Sequence, residues 1–473
     1  MNNKKIRNIF IVVFCAFCIF TVIFNFLVGE QISYKESTKN IIAKDATTIS
    51  QEIIKDVEIK QDFINKLDKI DSVAIIAHTY WRETNSGTLT LELYDGNYLL
   101  AVQNYKVSEI RDQHRTYLEF SSPLSDLNGK TLTLKIKSTS EEGEGICLMS
   151  YSDNDLGNCY VNDVLQEGSI CIATKGQEKV MFGDYYWPIM GILGSLLAVI
   201  LFVSYKRYCK GKSSIIVIGI NAIYKYQFLI SQLVSRDFKS KYKRSVLGIF
   251  WSFLNPLLMM IVQFLVFSTI FNADTKSYPI YLLSGVICFN FFKEATDMCL
   301  ISISNNANLI KKVYVPKYIF PIAKTLSSTI NLAISLIPLL LLTVVMGIRL
   351  NAKVLLIVYF LLCLILFALG IGMFLAAMMV FFRDIRFIWS VLTQVWQYAT
   401  PIFYTAEIIP DRFKFIVRLN PLYHFIGNLR KCLMDGISPE PSAYLYCLLF
   451  ASLSLIIGSL VFKKTQDKFT LYL

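Results

Sequence analysis

The sequence predicts an α-helical polytopic membrane protein, with two N-terminal spans, a six-span bundle and an inserted extracytoplasmic β-sandwich-like domain. Three observations carry this. The 473 residues are 54% apolar and only 17% charged, too little polar surface to cover a soluble core of that size. Apolar runs of bilayer length recur at both ends of the chain. Residues 29–187 are less hydrophobic and carry 16 basic against 25 acidic residues, whereas the remainder carries 31 against 10. The basic excess belongs to the membrane part and forms no separate stripe, which speaks against nucleic acid as a partner.

Residues 1–28 form a cytoplasmic tip and an anchor. Ile9 to Val28 supply about twenty apolar positions behind Lys4, Lys5 and Arg7, enough to cross about 30 Å of hydrocarbon. Val28-Gly29-Glu30 is a poor cleavage site, so the run reads as uncleaved. Residues 29–187 open with about forty residues of helix-like, alternately charged sequence, and the period changes near residue 70. Thr88 to Tyr94 and Thr131 to Lys137 alternate in twos between turn residues, the pattern of half-buried antiparallel strand. Val73 to Trp81, Tyr98 to Tyr105, Arg115 to Phe120 and Ile146 to Tyr151 bring the total to about six to eight strands of one sandwich. Trp81, Tyr98 and Tyr105 are its candidates for stacking on sugar rings. Cys147, Cys159 and Cys171 are odd in number, so at most one bridge closes among them.

Residues 188–212 return across the bilayer through Pro188 to Tyr205 and end in Lys206, Arg207, Lys210 and Lys212, a cytoplasmic signal. Gly211-Lys212-Ser213 imitates the end of a phosphate loop, but Lys206 stands where the upstream glycine is required and no strand precedes it.

Residues 213–473 form the bundle. Arg236 to Pro256 is a basic amphipathic lead-in that lies on the membrane surface and then turns through it. Spans are expected at about 251–271, 280–301, 322–347, 354–380, 385–404 and 442–462. The lysines of Asn305 to Lys317, Arg383 with Arg386, and Lys463, Lys464 and Lys468 mark the cytoplasmic side. Pro401 to Glu440 breaks the pattern, with five basic residues on the outer side. Ile402 to Ile409 and Phe413 to Leu422 are read as re-entrant half-helices broken at Pro401, Pro410 and Pro421.

The ordered set Trp251-Ser-Phe-Leu-Asn-Pro256, Asn308-Leu-Ile-Lys-Lys-Val-Tyr-Val-Pro316 with Pro321, Phe381-Phe-Arg-Asp-Ile385, Thr400-Pro-Ile-Phe-Tyr404 and Asn420-Pro-Leu-Tyr423 resembles the permease subunit of ABC-2 type polysaccharide exporters, the O-antigen and teichoic-acid translocation group. The resemblance covers about the C-terminal 240 residues; the family's usual form lacks the inserted domain. It implies a homodimeric permease that moves a lipid-linked polysaccharide through the cytoplasmic membrane, partnered by two copies of an ABC ATPase. ATP and Mg then belong to the partner, and this chain binds no cofactor or metal. The coupling element is Asn305 to Lys317, with Asn308, Lys311, Lys312 and Lys317 contacting the ATPase and Pro316 ending the helix; Arg236, Lys243 and Arg244 are a second contact.

A pore for sugar needs a polar, stacking wall. On the fifth span Ser390, Thr393, Gln394, Gln397, Tyr398, Thr400 and Pro401 fall on one face, and Trp251, Phe289, Phe292, Phe403 and Tyr404 offer rings, with Trp389 and Trp396 nearby. Glu294 and Asp297 are costly in a span and suggest a role, with Lys293 a partner for Asp297. Asp384 reads as a salt bridge to Arg383 and Arg386. Two other classes compete: a membrane glycosyltransferase or polymerase with a lectin-like domain, whose best paired carboxylates are Glu407 and Asp411, and an ABC-2 exporter of another cargo.

Overall fold

The computed structural model describes residues 3–472, apart from 42–47, 81, 83–84, 111, 113, 152–156, 211–214, 244–245, 249, 272–276, 314 and 406–408. The chain divides into two compact units, Gly29–Ile189 and the remainder.

The first unit is a two-sheet sandwich of thirteen strands: β1 (Tyr34–Ile41), β2 (Thr48–Ile49), β3 (Glu58–Ile64), β4 (Lys69–His78), β5 (Thr88–Asp95), β6 (Tyr98–Lys106), β7 (Arg115–Ser125), β8 (Thr131–Ser138), β9 (Cys147–Tyr151), β10 (Cys159–Val161), β11 (Val164–Gln166), β12 (Ser169–Ile170) and β13 (Ile172–Lys179). One sheet runs β1-β13-β4-β9-β12, with β7 also on β4 and β2 on β9; the other runs β11-β10-β3-β8-β5-β6. All pairings are antiparallel. Period-two alternation sends Leu89, Leu91 and Leu93 of β5 and Leu132, Leu134 and Ile136 of β8 inward against Ile70, Val73, Ile75, Leu118 and Leu148, forming one core. Each such side chain contributes about 1.5–3 kcal/mol by leaving water.

The expected helical lead-in before residue 70 is overturned, because β1 and β3 lie there. In β3 the burial alternates strictly, with Ile59, Gln61 and Phe63 inward. A buried Gln61 at the centre of the apolar face hides the period in the sequence. Its amide is fully used: Nε2 donates to the Asp62 and Gly157 carbonyls at 2.9 and 3.2 Å, and Oε1 accepts from Ile170 N at 2.9 Å, tying the two sheets together. Asn162 and Asp163, both at positive φ, close the β10–β11 hairpin in the manner of a two-residue primed turn.

The second unit is helical: α1 (Asn3–Ser33), whose last turn belongs to the first unit, then α3 (Tyr186–Cys209), which follows the one-turn α2 (Met181–Asp184), and a bundle of α4 (Ile215–Tyr242), α5 (Phe250–Phe271), α6 (Tyr278–Leu300), α7 (Ala307–Lys312), α8 (Ile319–Val345), α9 (Ile357–Phe381), α10 (Ile385–Ala399), α11 (Asp411–Leu419), α12 (Pro421–Arg430), α13 (Pro441–Thr465) and α14 (Phe469–Tyr472). Among the described residues six helices are long and apolar enough to cross a membrane: α1, α3, α5, α8, α9 and α13. That is two fewer than the eight expected. The 23 residues of α6 are long enough, but Lys293, Glu294 and Asp297 make one end polar. At 15 residues α10 is about 22 Å long and stops short of a full crossing.

Segment 401–405 is non-helical, so no half-helix begins at Ile402, and Phe413 to Leu422 is split between α11 and α12. Pro421 sits in the first turn of α12, where its missing N–H costs nothing, and the Asn420 side chain caps it by accepting from Leu422 N at 3.1 Å. α9 and α13 meet at glycine: a Cβ on Gly458 would stand 2.0 Å from the Gly370 carbonyl oxygen, so only hydrogen fits.

Candidate functional site

Two constellations sit at opposite ends of α6. At the end bearing Leu300, a 3-10 turn at Ser304–Asn306 leads into α7. Ile310 faces inward, joining a core that includes Ile303, Ile319, Phe320, Phe462 and Phe469. This leaves Asn308, Lys311 and Lys312 exposed on the outer face of a short helix whose inner face is fixed. α4 holds the same region: Arg236 Nη2 donates to Asn306 Oδ1 at 3.3 Å, and Asp237 pairs with Lys324 of α8 at 2.8 Å, both side chains largely buried. Residues of α7, α4 and α8 thus share one packed layer.

Other expected coupling residues have different settings. Lys317 is half-buried, and its Nζ donates to the Gln466 carbonyl at 2.6 Å, so it fastens the C-terminal segment. Pro316 does not end α7; the helix stops at Lys312, where Val313 turns extended. Lys243 is exposed, and Arg244 lies outside the described residues.

At the other end, α6 presents Tyr278 and Tyr281 to the non-helical segment after α10. Tyr278 Oη donates to the Phe403 carbonyl at 2.5 Å and Tyr281 Oη to the Tyr404 carbonyl at 2.7 Å. Arg430 from α12 completes the knot. Its guanidinium, largely buried, donates to the carbonyls of Pro401 (2.8 Å), Tyr281 (2.9 Å) and Ile402 (3.3 Å) and to Ser284 Oγ (3.3 Å), and lies 3.4 Å from the Tyr281 ring centroid. A Cβ on Gly285 would come within 2.6 Å of Arg430 Nη2, so glycine makes room for the fork. Asn420 joins two expected motifs, accepting from Trp396 Nε1 and donating to Thr400 Oγ1, both at 2.8 Å. Sequence reasoning missed Arg430. Its partners are backbone carbonyls and a ring, so no complementary carboxylate signals it.

The expected translocation wall is divided. Ser390, Gln394 and Tyr398 are exposed along α10, Gln397 is half-exposed, and Trp251 is 44% exposed at the start of α5. Thr393 and Thr400 are buried and return their hydroxyls to the carbonyls of Trp389 and Trp396. Phe289 and Phe292 are fully buried, and Phe292 is ringed by Phe367, Trp389 and Trp396 at 5.2–6.2 Å. Their rings are packing, not lining. Phe403 is buried and stacks on Phe267 at 5.0 Å, and half-buried Tyr404 donates to the Tyr398 carbonyl. Glu294 pairs with Lys241 of α4 at 2.8 Å. Among the described residues Lys293 makes no ion pair with Asp297, nor Asp384 with Arg383 or Arg386. The expected Glu407–Asp411 pair lies outside the described residues.

In the sandwich, Tyr98 is 80% exposed beside the β5–β6 turn. Tyr105 is turned inward, its hydroxyl donating to the Tyr117 carbonyl, so it is a packing residue; Trp81 lies outside the described residues. Cys147, Cys159 and Cys171 are all buried and none is in a disulfide, and burial pushes the Cys159 thiol up to about 11. The outer face of the six-stranded sheet is zwitterionic: Glu58 contacts Lys60 and Lys137 at 3.2 Å each, and although burial opposes it, the two lysines hold its carboxyl below the usual value.

The comparisons with known proteins fall on the bundle. Residues 228–434 match the family model described as ABC-2 type transporter. The O-antigen export system permease protein RfbA of Klebsiella pneumoniae is 27% identical over 243 residues, covering 51% of this chain and 93% of that protein. RfbA of Myxococcus xanthus is 27% identical over 252 residues, 53% of this chain and 97% of its own length, and the polysialic acid transport protein KpsM of Escherichia coli is 22% identical over 241 residues, 50% and 93%. The matched segment contains α7, α10, the Tyr278–Tyr281–Arg430 knot and the motifs around Thr400 and Asn420. Residues 228–434 are therefore similar to the membrane domain of ABC-2 type transporters.

Proposed function

We propose that the chain is the permease subunit of an ATP-driven exporter that moves a lipid-linked cell-surface polysaccharide, of O-antigen, capsule or teichoic-acid kind, outward across the bacterial cytoplasmic membrane. The observation that carries this is the match of the bundle to the ABC-2 domain and to export permeases over more than nine-tenths of their length. Two copies form a homodimer and engage two copies of a separate ABC ATPase, which binds the ATP and Mg. Both termini lie in the cytoplasm and residues 29–187 outside it, in keeping with the basic flanks of the spans. α7 docks on the ATPase through Asn308, Lys311 and Lys312. The dimer reading is supported by α10, which exposes Phe387, Ile388, Val391, Leu392 and Val395 along with Ser390, Gln394 and Tyr398, leaving most of the helix without a partner in one protomer. In the sandwich, Tyr98 is the ring left free for a glycan.

The test is pairing. The purified chain hydrolyses no ATP by itself and co-purifies with a soluble ATPase. Lys311→Glu with Lys312→Glu lowers that co-purification about tenfold while leaving the melting temperature in place, because both side chains are exposed and make no ion pair among the described residues, so the change costs about 0.5 kcal/mol or less. Undiminished pairing removes α7 as the docking element.

A further inference from the structure

Four helices of the bundle leave a polar opening between them. A cleft is bounded by Lys241 of α4, Asn255 of α5, Asn290 and Glu294 of α6, and Ser328 and Asn331 of α8. The Glu294 carboxylate accepts from Lys241 Nζ at 2.8 Å and from Asn331 Nδ2 at 2.7 Å, so two walls are bridged across it. Polar side chains are expensive among spanning helices, and where they only glue helices together they consume one another's hydrogen bonds. That is not the case for Asn255 and Asn290. Both are exposed to the cleft, and neither side chain has a protein partner among the described residues.

The chemistry of the unused groups selects the ligand. Lys241 is matched by Glu294, so the cleft has no net charge to offer a phosphate, and the carboxylate would repel one. What remains unsatisfied is two carboxamides, each with donors and an acceptor, which fit hydroxyl groups that donate and accept at once. Beside the cleft, α5 exposes Leu258, Ile261, Val262 and Leu265, an apolar track for a chain attached to such a head. We propose that the cleft receives a neutral sugar carried on a lipid chain, with the sugar hydroxyls on Asn255 and Asn290 and the chain along α5. This deepens the exporter reading and rests on it for the identity of the cargo.

The test uses the full chain in lipid nanodiscs carrying Ser335→Cys, or Ser252→Cys if the first does not fold, both of which line the cleft without being assigned a sugar contact, with modification by a charged methanethiosulfonate read at that site by peptide mass spectrometry. The thiol is expected to react, and octyl β-glucoside below its micelle threshold slows the reaction about fivefold. Glucose alone, or an octyl chain on tetraethylene glycol, changes the rate by less than about twofold. No reaction means a dry cleft, and equal protection by glucose or by the polyether means no recognition of a lipid-linked sugar; each overturns the proposal. Export measured on the same variants in proteoliposomes with the partner ATPase separates the two readings. Export without protection removes the cleft alone, and protection without export removes the exporter reading alone.

Discussion

Arg430 shows how a single side chain can hold an element that has no regular structure. Its fork reaches the carbonyls of Pro401 and Ile402 in the non-helical segment and that of Tyr281 in the first turn of α6. Arg430→Ala removes these bonds, leaving the Pro401 and Tyr281 carbonyls only the Tyr281 and Ser284 hydroxyls, and costs about 2–3 kcal/mol, lowering the melting temperature in detergent by roughly 5–10 °C, while Arg430→Lys recovers little of the loss because an ammonium lacks the planar fork. Scanning fluorimetry checks it; a lysine variant as stable as the parent contradicts the geometry. Cys159 gives a second check at this scale. With its thiol near 11, about one molecule in a thousand is thiolate at pH 8, so native-state alkylation leaves it untouched while alkylation in urea does not. Modification of the folded protein, or a mass 2 Da low from a disulfide, contradicts a buried free thiol.

At the scale of elements, the packing of α9 on α13 makes a sharp claim. Gly458→Leu forces a side chain into the Gly370 carbonyl and separates the helices, whereas Gly427→Ala in α12, where a Cβ meets nothing within 4 Å, is neutral or slightly stabilising. Size-exclusion profiles of the two purified variants compare them, and a monodisperse Gly458→Leu protein would refute the close approach. The elements also show what sequence can carry. β5 and β8 are legible because three successive inward positions in each are Leu or Ile, while β3 is not, because Gln61 occupies an inward position and its bonds to Gly157 and Ile170 are long-range. α7 is legible from its lysines, but the duty of Lys317 depends on a carbonyl 149 residues away. The rings of Phe289 and Phe292 look like pore lining from composition, and only the arrival of Phe367, Trp389 and Trp396 makes them core.

Over the whole molecule, the charge pattern and span lengths expose the division into a membrane bundle and an inserted sandwich, since both are local sums. The acids on α6 are equally visible, but their partners are not: spacing offers Lys293 to Asp297, an ion pair that does not form, and the fold brings Lys241 from α4 to the other acid, Glu294. The bundle thus combines a short helix with an exposed lysine face, an ion pair that links α4 to α6, and an open polar cleft. The most direct measurement places the purified chain in proteoliposomes, alone and with its ATPase, and follows lipid-linked glycan across the bilayer. Our account predicts ATP-dependent translocation with both subunits, its loss with Lys311→Glu and Lys312→Glu, and none with the chain alone; translocation or sugar transfer by the isolated chain would contradict it.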